Sequence, residues 1–126
     1  LIDAATDERI TVFWSPWVIG ELYRTLTWDW IKHGRGSESE CSASSKRMMR
    51  VMLLYFRTVD PEPPFDVAAC PDPDDMPIWK AAVQLQAHYL VSNNTNDFPP
   101  RGASGRHTYQ CVEWITAADL LFLLGY

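Results

Sequence analysis

Ile10-Thr-Val-Phe-Trp14-Ser15-Pro16-Trp-Val-Ile-Gly-Glu21-Leu-Tyr-Arg-Thr-Leu26 decides how the rest of the chain is read. Ile10 to Trp14 is rich in β-branched and aromatic residues and predicts a strand. Ser15 is a good helix N-cap, and Pro16 suits the first helical position, where its missing N–H is no loss. Val18, Leu22 and Leu26 then recur at helical spacing, predicting a helix to about Lys32. His33-Gly-Arg-Gly36-Ser breaks it. A second helix is expected from Ser45 to about Thr58, with Met48, Met52 and Phe56 inward and Lys46, Arg47 and Arg50 outward.

The strand-then-helix reading continues downstream. Five of the nine prolines lie in residues 60–75, so no long regular element fits there, only a short strand at Val67–Cys70. Pro77 opens a helix with Ile78, Ala82 and Leu85 on one face. Tyr89–Ser92 is a short buried strand, and a polar turn and a loop from Arg101 to His107 follow. Cys111–Ile115 is the last strand, and Thr116-Ala-Ala-Asp119 a capping box opening a final helix that stops near Gly125. Strands alternating with helices mean an α/β fold with a mostly parallel sheet, in a single domain over residues 1–126.

Composition narrows the function classes. The 126 residues carry a net charge of −5, unevenly spread. Residues 1–59 have eight Lys/Arg against seven Asp/Glu, and residues 60–126 three against nine. No broadly basic nucleic-acid coat fits that balance. No apolar run approaches the ~18 residues of a membrane span, and the first residues do not resemble a signal peptide. Three cysteines (Cys41, Cys70, Cys111) with no CxxC pair argue against a zinc site or a disulfide framework and for a reducing, cytoplasmic setting. His33, His88 and His107 are scattered and are not read as catalytic. Arg101 and Arg106 flank glycines without the following Lys of a phosphate-binding P-loop. Six tryptophans fit a core or a homodimer surface.

The chemistry-bearing residues are acids. Between Asp60 and Asp75 stand six of them and no base. Asp72-Pro-Asp-Asp75 precedes a helix, and Asn94 and Asp97 follow the C-terminal end of a strand, where open α/β sheets bind ligands. Glu21 lies on the first long helix. Three carboxylates meeting at one edge repel unless a cation or protons offset them, and an all-oxygen set suits Mg²⁺ or Mn²⁺. The bland alternatives are a solvated Glu21, an Asp75 that only caps its helix and an Asp97 that only caps a turn.

Three segments, in order and spacing, resemble the PIN domain family: Ser15-Pro16 followed by Glu21 and Leu26, then Asp72-Pro-Asp-Asp75 with its Ala-rich helix, then Val91-Ser-Asn-Asn94-Thr-Asn-Asp97-Phe-Pro99. Ile115-Thr-Ala-Ala-Asp-Leu-Leu resembles the family's last strand and helix. The resemblance implies a three-layer fold and a Mg²⁺- or Mn²⁺-dependent endoribonuclease, many of whose relatives are toxins of bacterial toxin–antitoxin pairs. It puts Glu21, Asp75 and Asp97 in the acidic, metal-holding positions, with Ser15 and Asn94 on the substrate; Asp72 and Asp74 rank below Asp75. RNA and a protein antitoxin are the implied partners. The family's first strand, which ends in an Asp, has no match: Leu1–Asp7 reads as the tail of a helix, and Asp3 is a poor substitute. The expectation is either a fragment or a catalytically degenerate module that binds RNA or an antitoxin, with little cleavage from these 126 residues alone.

Overall fold

The computed structural model describes residues 1–66 and 70–126. They form a mixed α/β protein of helices and small sheets in two compact units, residues 2–59 and Leu1 with residues 60–126. The strand expected at Val67–Cys70 falls on residues 67–69, outside the described residues.

In the first unit, α1 (Ile2–Thr6) leads to β1 (Phe13–Trp14), α2 (Pro16–Lys32), α3 (Glu38–Tyr55) and β2 (Arg57–Thr58). The N-terminus of α2 forms as its residues dictate: the Ser15 hydroxyl accepts from the Val18 N–H at 3.3 Å, with Pro16 in the first turn. Past its end, Gly34 has φ +63°, a conformation that side chains with a Cβ resist. The next helix starts at Glu38 rather than Ser45. Ser37 and Glu40 form a reciprocal capping box, the Ser37 N–H donating to Glu40 Oε2 at 2.8 Å and the Glu40 N–H to Ser37 Oγ at 3.4 Å. The Ser37 hydroxyl and N–H also hold the exposed Glu40 carboxyl below its ordinary range. The serines of the first turns, poor helix formers alone, bond to α2: Tyr23 Oη lies 2.7 Å from Ser42 Oγ, and Thr27 Oγ1 donates to Ser45 Oγ at 3.0 Å.

The end of α3 also differs from expectation. Phe56 turns extended, and residues 57–58 pair in parallel with residues 13–14. The Trp14 indole N–H donates to Thr58 Oγ1 at 3.2 Å across this ladder. Trp14, Met49 and Met52 are the buried core, flanked by Val18, Leu22, Leu26, Met48 and Phe56. The α2 periodicity thus points at the core as read. On α3 Met52 is buried as read, together with Met49 rather than Met48.

The second unit runs through a 3₁₀ turn (Pro73–Asp75), α4 (Met76–Gln84), β3 (Tyr89–Val91), a second 3₁₀ turn (Thr95–Asp97), β4 (Thr108–Tyr109), β5 (Val112–Ile115) and α5 (Ala117–Leu123). β5 is central, parallel to β3 and antiparallel to β4. Its burial matches its sequence, with Val112, Trp114 and Ile115 all enclosed. Trp79 of α4 is 2% exposed and meets the Trp114 ring edge-on at 4.7 Å and the Tyr109 ring at 4.8 Å. Cys70, Met76 and Ala82 complete this core. α5 opens on the expected capping box, Thr116 with Asp119, and stops before Gly125 at φ +78°. Among the described residues, no helix is long and apolar enough to cross a membrane.

Candidate metal centre

Asp72-Pro-Asp-Asp75 forms its 3₁₀ turn for local reasons. The Asp72 carboxylate accepts from the Asp74 N–H at 3.0 Å, Pro73 supplies a fixed φ, and the Asp75 N–H closes on the Asp72 carbonyl at 3.0 Å. A 3₁₀ helix has three residues per turn, so residues 72 and 75 fall on one side. Asp75 directly precedes α4 but makes no side-chain capping bond. A half-buried carboxylate at a helix start that does not cap is available for something else.

Asp97 comes from a separate segment, the turn after β3. Asn94 Nδ2 donates to Asp97 Oδ2, and the Asn94 N–H bonds to Ser92 Oγ at 3.1 Å. One carboxylate oxygen from each of Asp72, Asp75 and Asp97 lies within 4.8 Å of the others. Burial pushes the Asp75 carboxyl above its ordinary range, and the Asp97 and Asp72 charges, a hydrogen bond to Asp97 and the Asp74 charge push it the same way. Cys70, buried beside the turn with Sγ 2.8 Å from the Asp72 carbonyl, has its thiol pushed up by burial and by the same carboxylates.

Of the residues singled out from sequence, Asp75 and Asp97 come together, and Asn94 fixes Asp97. Asp72, ranked below Asp75 on sequence, joins them as a full member; its signal was the three-residue spacing, legible only once the turn is known to be 3₁₀. Ser15 is buried and engaged as the α2 cap. Glu21 lies on α2 in the other unit, exposed and paired with Arg24. Asp3 is in α1, as the helical reading of Leu1–Asp7 expected.

Three carboxylates that crowd one another, one of them protonation-prone, make a set of hard oxygen donors whose charge a divalent cation would offset. That donor chemistry fits Mg²⁺ or Mn²⁺, ions held through one or two carboxylates with water completing the shell. No curated protein and no solved structure matches the chain. A family model described as PIN domain matches residues 1–96, more than half of the chain, and with it the Ser15–Leu26 and Asp72–Asp75 segments. The chain belongs to the PIN domain family.

Proposed function

We propose that this protein is a divalent-metal-dependent endoribonuclease, with Mg²⁺ or Mn²⁺ held by Asp75 and Asp97 and assisted by Asp72. The observation that carries this reading is the meeting of three carboxylates from two separate turns within 4.8 Å. When bound, the cation lowers the pKa of a water and polarises the scissile phosphate. Asp75 supplies charge from a half-buried position, Asn94 holds Asp97 in place, and Asn94 has further amide capacity for a substrate oxygen. Glu21 and Ser15 enter the proposal on the resemblance of their segment alone.

The same proposal carries the family's three-layer architecture around a mostly parallel sheet, read over residues 1–126 as one domain. The parallel ladders β1–β2 and β3–β5 support it. RNA is the substrate, the setting is cytoplasmic, and the biological role is that of a toxin restrained by a protein antitoxin. The chain pairs as a homodimer. Exposed Trp17 and Trp28 on α2 support a protein partner.

A second reading is a degenerate PIN module that binds RNA or an antitoxin without cutting. Asp3 sitting in a helix rather than on a strand favours it. The test is end-labelled RNA incubated with the protein and Mn²⁺. Internal cleavage that disappears with a chelator and in Asp75→Asn supports the nuclease. RNA retained uncut at every Mn²⁺ concentration supports the module.

A further inference from the structure

Asp97 reaches the carboxylate cluster from a turn closed by the Thr95 N–H on the Asn93 carbonyl at 3.1 Å and by two longer bonds, the Asp97 N–H to the Asn94 carbonyl and the Phe98 N–H to the Thr95 carbonyl, each 3.4 Å. The residues just after it are held from outside the turn. Pro99 is buried, and its carbonyl lies 2.7 Å from Nδ1 of His107. A carbonyl only accepts, so Nδ1 carries the proton. The His107 ring also stands edge-on to Phe98, 5.2 Å between centroids at 76°, and Phe98 packs on the Trp79–Trp114 core. His107 itself is anchored, since its carbonyl accepts from the Trp114 N–H of β5 at 2.8 Å and its backbone bridges to Arg101. One side chain therefore links the rigid central strand to the backbone two residues beyond Asp97.

We propose that His107 is a positioning residue for the cation site: its Nδ1–H, donated to the Pro99 carbonyl, and its ring, set against Phe98, fix the turn that presents the Asp97 carboxylate to Asp75 and Asp72. This rests on the metal reading above and adds to it a residue with no contact to the ion. Side chains that orient ligands in this way typically change metal affinity by about 10–100-fold when removed. Removing this one also leaves the Pro99 carbonyl buried without its donor.

The experiment measures Mn²⁺ binding by the loss of the free-ion paramagnetic resonance signal, well below the melting temperature, for wild type, His107→Ala, His107→Asn and His107→Gln. An Asn amide places a donor near the position of Nδ1, whereas that of Gln sits one bond farther out. Affinity is expected to fall about tenfold or more in His107→Ala and His107→Gln and to return to within about threefold of wild type in His107→Asn. Leu120→Ala, a buried site on α5, is the stability control and should lower the melting temperature without lowering affinity. Hydrogen exchange of the Asp97 and Phe98 amides in metal-free buffer is the second readout, faster in His107→Ala and near wild type in His107→Asn. Should His107→Ala not fold, the contrast between His107→Gln and His107→Asn decides. A wild type that binds no Mn²⁺ overturns the metal reading and this inference with it. Equal affinity in wild type and the His107 variants, or an equal loss in Leu120→Ala, overturns this inference alone.

Discussion

Asp75→Asn should stabilise the protein without metal and abolish its response to metal. Asp75 is half-buried, makes no capping bond, and has an oxygen within 4.8 Å of both Asp72 and Asp97. At 4.8 Å two unit charges repel by about 1 kcal/mol with water-like screening and about 3.5 kcal/mol at an effective dielectric of 20. Asp72 is exposed and Asp75 and Asp97 are only half-buried, so solvent screening brings each pair towards the lower figure. Neutralising Asp75 then removes about 1–2 kcal/mol of strain, which for a chain of this size raises Tm by about 3–8 °C. In Mn²⁺ at ~100 times its Kd the wild type gains about 2.7 kcal/mol from binding while the variant gains little, so the order of the two melting curves reverses. Scanning fluorimetry or circular dichroism in chelator and in Mn²⁺ reads both effects. An Asp75→Asn protein that melts lower in chelator, or that keeps the full Mn²⁺ shift, refutes the reasoning.

Other consequences follow from the same structure. Because the Asp75 carboxyl is held above its ordinary range, the folded chain binds this proton more tightly than the unfolded chain. Its contribution to metal-free stability is complete below the unfolded value of ~3.9 and is lost as pH rises through the higher folded value. The wild-type Tm should thus fall relative to that of Asp75→Asn over that rise, and parallel profiles would contradict the assignment. Trp79→Ala, which empties a site 2% exposed between Trp114 and Tyr109, should lower unfolding free energy by about 3–5 kcal/mol in urea titrations; a loss under ~1 kcal/mol would mean that this core is not packed as described. Ser37→Ala removes the capping-box hydroxyl and should lower stability by about 0.5–2 kcal/mol in the same titration, with no effect on Mn²⁺ affinity.

What could be read from the residues was whatever is decided locally. Ser15-Pro16 with Val18, Leu22 and Leu26 specifies a cap, a first turn and a core-facing stripe within one short window, and α2 follows. Thr116 with Asp119 does the same for α5. The start of α3 was missed because serine has weak intrinsic helix preference, and Ser42 and Ser45 find their hydrogen bonds on α2, a partner distant in sequence. β2 and β4 are two residues each and exist only through the strands beside them, so no periodicity announces them. In the site, adjacency to the helix favours Asp75 over Asp72 when the residues alone are read. The 3₁₀ turn makes that choice needless by putting both on one side. His107 had no signal at all in the sequence, because its partners, Pro99 and Phe98, meet it only after the 101–107 loop folds back.

The central claim is that Asp72, Asp75 and Asp97 hold one divalent cation. The most direct measurement is the anomalous difference map of a crystal of this protein soaked in Mn²⁺, collected at the manganese absorption edge. The account predicts a peak at coordination distance, about 2.1–2.2 Å, from carboxylate oxygens of Asp75 and Asp97, absent in Asp75→Asn crystals treated alike. A map with no peak among these three side chains, in crystals whose carboxylates are well defined, would contradict it.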